Sequence, residues 1–356
     1  MKAITVTPGT AGSVALKEVP DPAPKTGQLL LRVLKVGICG TDMDIVNGFY
    51  GEAPAGSPYL ILGHESLSRV EEAGPGCKGF RKGDLVVPTV RRGCPENCLN
   101  CRSGESDMCL TGHYREHGIK GLHGFASELT LSDSRFVVRL PESLSEVGVL
   151  LEPLTIVEKG IEQAFRIQNA RMKWKPSTAL VLGSGPVGLL ATALLRQMGL
   201  DVTTVARKPP STPKARLAAS TGATYVNVQD KPLSSMEDRF DLVFEATGST
   251  AVALEAQNLC DTNGVVSFVG IYRSQAGTED AGKVFTNLVL GNRVYFGSVN
   301  ANISYFRKGA SDLVKIRRKW GGFLEGILTD KVPLAKAESA YVPKGEDAVK
   351  TILEIG

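Results

Sequence analysis

The chain has 356 residues, with 41 Lys and Arg against 37 Asp and Glu and a formal net charge of +4. That length is a soft prior for two domains, and a hydrophobic content of 42 % is ordinary for a globular protein. The densest basic stretch, Lys315, Arg317, Arg318 and Lys319, has neither the aromatic interleaving nor the motif spacing of a nucleic-acid binder, so it reads as a solvated helix face. No apolar run reaches the roughly 18 residues needed to cross a bilayer. The N-terminal run MKAITVTPGTAG alternates like a strand and carries no signal-peptide core. A cytoplasmic protein with no membrane or nucleic-acid partner is therefore expected.

The first part of the chain, to about residue 155, is rich in Gly and Pro. Short apolar segments recur there: LLLRVLKVGI, LILGHE, GDLVVPTV, FASELTL and FVVRLP. Turn clusters separate them, which predicts a barrel-like β domain. PDPAPKTG (20–27) reads as an exposed loop. Within this region, Cys39-Gly40-Thr41-Asp42 follows one predicted strand and Gly63-His64-Glu65 follows another. Loops after strand ends can aim such ligands at one point. Together with Glu152, at the junction with the next domain, they provide thiolate, imidazole and carboxylate. That set leaves a zinc ion with an exchangeable position, as catalysis requires. Cys39 and His64 are the firm members, and either Glu65 or Glu152 supplies the carboxylate.

Four of the seven cysteines, Cys94, Cys98, Cys101 and Cys109, are spaced C-x3-C-x2-C-x7-C. Four thiolates from one short loop can converge on a structural zinc, and Gly93, Pro95 and Gly104 supply turn chemistry around them. The lobe is expected over 93–110. An odd cysteine total with this clustering argues for metal binding and against a disulfide framework.

After Pro176 the pattern changes to strands alternating with helices. The strand ALVL precedes a helix over 186–198, then DVTTVA, a helix over PKARLAASTG, ATYVNV, DLVFEATG, a helix over TAVALEAQNLC, GVVSFVG and finally RVYFGSV. This alternation predicts a doubly wound parallel sheet. The segment from about 301 to 356 carries helix, turn and strand signals and is expected to return to the first domain.

Gly183-Ser184-Gly185-Pro186-Val187-Gly188 is a G-x-G-x-x-G loop between a predicted strand and a predicted helix, the context in which the pattern means dinucleotide binding. The glycines permit the tight turn, the approach of a pyrophosphate and helix–strand packing. The helix N-terminus adds free N–H groups and a favourable dipole. At the end of the second strand an acidic residue would bond the ribose 2′-hydroxyl, but Ala206-Arg207-Lys208 stands there. Two cations suit a 2′-phosphate, which favours NADP. If Arg207 merely stacks on adenine, NAD is accepted as well.

On these motifs the chain resembles the zinc-dependent medium-chain alcohol dehydrogenases over essentially its whole length. The segments C-G-T-D, G-H-E, LLEPLTIVEK (150–159), G-S-G-P-V-G and Thr111-Gly112-His113-Tyr114-Arg115-Glu116-His117-Gly118-Ile119 are most similar to the archaeal-type glucose dehydrogenases. The resemblance implies an α/β chain made of a GroES-like β-rich catalytic domain (1–160 and 301–356) and a Rossmann nucleotide-binding domain (161–300). It implies two zinc ions per chain and a homotetramer. It further implies oxidation of D-glucose at C1 to the aldonolactone, with galactose and xylose as further candidates. Thr41 then matches the hydroxyl that relays the substrate proton, and Glu116 a carboxylate that binds sugar hydroxyls. Asn300 and Asn302 match a segment near nicotinamide and sugar. The chain departs from the family pattern in the three residues Pro95-Glu96-Asn97 between the first two lobe cysteines, where two are usual. It departs again at Val90 and Ile156, where some relatives carry polar sugar-binding residues. Carboxylates at Glu116 and Glu152 suit a polyhydroxylated substrate better than a simple alcohol. Two alternatives stand beside this reading: a sorbitol-type or L-threonine dehydrogenase, and a non-catalytic, redox-sensing NADP-binding protein.

Overall fold

The computed structural model describes residues 1–272, 289–291, 293–342, 345 and 347–356. Contacts divide the chain into two compact units. The first unit comprises Met1–Glu152, Asn300–Val314 and Leu328–Gly356, and the second Pro153–Val299 and Lys315–Ile327. The expected domain division lay at 160/161 and 300/301. The contact boundary instead falls near the start of the helix Leu151–Arg171, and 315–327 packs with the second unit.

The first unit is built around the strand Gln28–Gly37 (QLLLRVLKVG), whose apolar residues are buried on both faces. Leu29, Leu31, Val70, Val86 and Val137 form one core cluster beside it. Its two neighbours that matter most run antiparallel to it: Glu65–Ala73 and the C-terminal strand Thr351–Glu354. The latter shows the chain's end returning to the first unit. Register places both Glu65 and Ile352 opposite Gly37. A Cβ at residue 37 would collide with the Glu65 carboxylate, so only glycine lets that carboxylate lie across the strand. Glu65 thus opens a nine-residue strand; the sequence had suggested only a loop position.

The second unit holds a six-stranded, all-parallel sheet. Its spatial order is Thr224–Asn227, Asp201–Ala206, Thr178–Leu182, Phe240–Glu245, Cys260–Phe268 and Val294–Gly297. This is the doubly wound order, in which strand order reverses beside the first strand and its turn. Leu180, Leu182, Val205, Val243 and Val266 are core on one face, joined by Phe240 and Leu259. The helix Leu151–Arg171, 21 residues long, was not anticipated as an element. No helix among the described residues is long and apolar enough to cross a membrane.

Candidate active site and metal centres

Cys39 caps the helix Gly40–Val46. Its Sγ accepts from the Thr41 backbone N–H at 3.3 Å, and the Asp42 carboxylate accepts from the Cys39 N–H at 2.8 Å. This is a reciprocal capping box with a thiol in place of the usual hydroxyl, and it fixes the direction of the sulfur. Cys39 Sγ lies 3.1 Å from His64 Nε2. On the far side of the ring, His64 Nδ1 lies 3.3 Å from Asp42 Oδ1, and neither atom has another partner. Asp42 thereby favours the tautomer in which Nε2 carries the free lone pair toward Cys39. The ligand atoms of Cys39, His64 and Glu65 all lie within 4.8 Å of one another.

Glu65 Oε1 accepts from Lys350 Nζ at 2.5 Å, and both side chains are 2 % exposed. Its Oε2 is buried without a partner. A thiolate, an imidazole with an aimed lone pair and a carboxylate with an orphaned oxygen fit a zinc ion. Burial opposes protonation of His64, but the nearby charges of Cys39 and Asp42 outweigh it and hold its pKa well above the usual range, so a zinc ion taking the Nε2 lone pair would displace a proton from it. Glu152 is buried in the first turn of Leu151–Arg171. Burial pushes its carboxyl up to about 7, with Glu65 adding to the rise and His64 and Lys350 opposing it. Glu152 feels the charges of the cluster but does not belong to its mutually close set. Thr41, partly buried, stands in the first turn beside Cys39.

The four lobe cysteines also lie with their sulfurs within 4.8 Å of one another, and all are free thiols. Backbone N–H groups point at them: Cys98 to Cys94 Sγ at 3.3 Å, Cys94 to Cys101 Sγ at 3.4 Å and Leu110 to Cys98 Sγ at 3.5 Å. Such donors stabilise thiolates. Burial works to raise the Cys109 thiol, but the Thr111 hydroxyl and the Thr111 and Gly112 N–H groups bring it to about 6. Four converging sulfurs fit a closed zinc site. The extra residue of the first gap is absorbed by a turn. Asn97 adopts a left-handed φ of 49°, and its N–H donates to Cys94 O at 3.0 Å. Asparagine tolerates that conformation better than most residues.

Glu116 is buried in the short strand Arg115–His117, directly across from Arg91 in the antiparallel pair. Arg91 Nε and one terminal nitrogen lie 3.0 Å from Glu116 Oε1, and Asn300 Nδ2 donates to the same oxygen at 2.8 Å. Asn302 Nδ2 donates to Asp107 Oδ1 at 3.0 Å. The structure therefore brings Glu116 and Asn300 into direct contact and ties Asn302 to the cysteine lobe. Asn300 was expected at the cofactor; its side-chain amide is engaged with Glu116. Sequence reasoning missed Asp42, Lys350, Arg91 and Asp107. The Asp42 signal was present, as an acid three residues after a capping Cys39. Arg91 could have been noticed as a cation directly after the apolar segment GDLVVPTV. Nothing local marks Lys350.

In the second unit, the loop 183–188 joins Thr178–Leu182 to the helix Pro186–Gln197, with Gly185 as cap and Pro186 in the first turn. Gly183 has φ +109°, and a Cβ at Gly188 would strike the Gly183 carbonyl. Both positions require glycine. Ser184 is buried within the loop, Val187 is partly buried, and the buried run of the helix begins at Gly188. Arg207 is exposed just past Asp201–Ala206, and Lys208 O accepts from the Tyr225 hydroxyl at 2.7 Å. The two cations thus sit at the end of the second strand, where a ribose would be read.

Residues 145–355 match the family described as "Glucose dehydrogenase C-terminus", and residues 25–142 match "Alcohol dehydrogenase GroES-like domain". Glucose 1-dehydrogenase of Methanocella arvoryzae is 45 % identical over 362 residues, spanning 100 % of both chains. Glucose 1-dehydrogenase 1 of Caldivirga maquilingensis is 46 % identical over 355 residues, covering 100 % of this chain and 99 % of that one. The structure of Haloferax mediterranei glucose dehydrogenase in complex with NADP, Zn and gluconolactone is similar with a TM-score of 0.91 at 33 % identity, over 100 % of this chain and 99 % of that chain. On full-length identity and matching fold, the chain belongs to the glucose dehydrogenase family of the zinc-dependent medium-chain alcohol dehydrogenases.

Proposed function

We propose that this enzyme oxidises D-glucose at C1 to gluconolactone, with NADP as the hydride acceptor and two zinc ions per chain. The observation that carries the reading is the convergence of Cys39, His64 and Glu65 on one point, in the unit that also buries the Glu116–Asn300 pair. The relatives named above point the same way. Cys39, His64 and Glu65 are assigned to the catalytic zinc. Glu65 is preferred over Glu152 because its oxygen belongs to the close set. Cys94, Cys98, Cys101 and Cys109 are assigned to the structural zinc.

Zinc, when bound, supplies Lewis-acid polarisation that lets a sugar hydroxyl ionise near neutral pH. NADP, when bound, supplies the acceptor for the hydrogen leaving C1 with its two electrons. The chain's own residues do the rest. Thr41 takes the hydroxyl proton into a hydrogen-bonded relay. Glu116 and Glu152 accept hydrogen bonds from the remaining sugar hydroxyls, which an apolar pocket would leave unpaired. Asn302 steadies the same region through Asp107. Gly183, Ser184, Gly185, Pro186, Val187 and Gly188 cradle the pyrophosphate, and Arg207 and Lys208 meet the 2′-phosphate. The first unit is thus the catalytic one and the second the nucleotide-binding one. A homotetramer is the proposed assembly, to be checked by light scattering.

The test is a panel of initial rates with D-glucose, D-galactose, D-xylose, sorbitol, L-threonine and ethanol, each with NADP and with NAD. Fast glucose turnover favouring NADP supports the reading, and the galactose and xylose rates define the aldose range. Turnover of sorbitol or threonine alone would keep the zinc chemistry and overturn the sugar assignment. Tight NADP binding without turnover of any substrate would favour the non-catalytic alternative.

A further inference from the structure

The buried partner of Glu116 is a cation that the proposed chemistry does not use directly. We propose that Arg91 is a positioning residue for sugar recognition: it grips Glu116 by one carboxylate oxygen so that the other is presented to a substrate hydroxyl. The proposal rests on the reading of Glu116 as a sugar-binding carboxylate.

The donors around the Glu116 carboxylate are distributed asymmetrically. Arg–carboxylate pairs frequently engage fork to fork, one nitrogen on each oxygen. Here Arg91 Nε and a terminal nitrogen both lie 3.0 Å from Oε1, and the Asn300 amide adds a third donor to the same oxygen at 2.8 Å. Among the described residues no donor falls on Oε2. One oxygen is saturated and the other is left to accept.

The guanidinium is itself immobilised on every side. Its other terminal nitrogen donates to Asp107 O at 3.2 Å, and its face lies 3.6 Å from the centre of the Tyr114 ring. Cross-strand register sets Arg91 directly opposite Glu116. Arg91 and Glu116 side chains are 5 % and 6 % exposed. At that depth a charged pair is costly to assemble and is weak evidence for a stabilising role. A preorganised acceptor whose rotamer is locked from behind is what selective hydroxyl binding requires. Tyr50 has its phenol pKa raised by burial and by the Glu116 charge, which places the carboxylate's field at a half-exposed aromatic side chain.

The test uses the zinc-loaded enzyme and steady-state kinetics with D-glucose. Arg91→Met is expected to raise the glucose KM about thirtyfold or more while lowering kcat less than about threefold, with the NADP KM and zinc content unchanged. Arg91→Lys keeps the charge without the planar fork and is expected to raise the glucose KM by about five- to tenfold. Glu116→Gln should raise the same KM, and the double variant should be no worse than Glu116→Gln alone, because both act through one contact. A purely structural role would instead lower kcat, NADP affinity and Tm together.

An unchanged glucose KM in Arg91→Met, with a raised KM in Glu116→Gln, would overturn the role of Arg91 and leave Glu116 standing. Additive losses in the double variant would also overturn it. An unchanged KM in Glu116→Gln would remove both assignments. If Arg91→Met does not fold, Arg91→Lys carries the decision, and an unchanged glucose KM in that folded variant is the overturning result.

Discussion

The two cysteine-containing clusters proposed to hold zinc are built in opposite ways. The lobe takes all four ligands from residues 94–109, and the backbone turns that carry the sulfurs also donate N–H groups to them. The other centre takes Cys39 from a helix cap, His64 from a loop and Glu65 from the first position of a strand. Its orientation depends on Asp42 behind His64 and on Lys350, which arrives from the far end of the chain. A local centre folds with its own loop and contributes stability. A convergent centre exists only once the sheet has formed, and it leaves donor capacity unspent, as the orphaned Glu65 Oε2 shows. In the proposed function this unused capacity belongs to the reactive centre.

Cys39→Ser should widen the contrast most. It is expected to cut kcat/KM for glucose by at least about a thousandfold, since metal polarisation supplies several kcal/mol. NADP binding, followed by fluorescence titration, should stay within about twofold, because only a ground-state site in the other unit is read. Next comes Lys350→Met. Leaving Glu65 as an unpaired buried charge should cost about 3–5 kcal/mol, seen as a lower midpoint in chemical denaturation. Zinc bound at Cys39 and His64 could recover part of that loss, so comparing metal-loaded and metal-stripped samples tells whether Glu65 ligates.

Cys101→Ser addresses the lobe. Stability should fall first, with Tm dropping about 1–2 °C for each kcal/mol lost, while the glucose kcat of the surviving folded fraction changes little. A collapse of kcat at unchanged Tm would erase the division between the two centres. The smallest effect belongs to Asp42→Asn. The ring of His64 loses its charged partner, and metal affinity or activity should drop about 10- to 100-fold, measured by competition with a chelator. An unchanged affinity would show that the capping geometry alone orients the site.

The legible parts were those where local chemistry and tertiary role coincide. The six parallel strands follow from strands alternating with helices, while their spatial order comes from the pairing; the glycine loop could be read because Gly183 and Gly188 have no alternative there. The strand Glu65–Ala73 escaped notice because Ser66 and Ser68, both fully buried, replace an apolar signal with a mutual hydrogen bond of 2.8 Å. The helix Leu151–Arg171 was hidden by Pro153 near its start and by buried residues all around its first turns.

At the site itself, residue type and spacing singled out Cys39, His64 and the four lobe cysteines, which the structure brings into two close clusters, because thiolate and imidazole chemistry is carried by the residue alone. The choice between Glu65 and Glu152 could not be made that way. A carboxylate is common in any sequence, and its use depends on which oxygen a neighbour occupies. Only the folded register of Gly37, Glu65 and the strand after Lys350 puts one of the two carboxylates beside Cys39 and His64. The same holds for Arg91 and Glu116, separated along the chain and joined by one cross-strand pairing. Sequence alone determined the fold class, the nucleotide loop and the donor inventory. Tertiary structure alone decided which buried charges are paired, which oxygens remain open, and where the 315–327 segment packs, because those depend on contacts between residues far apart in the chain.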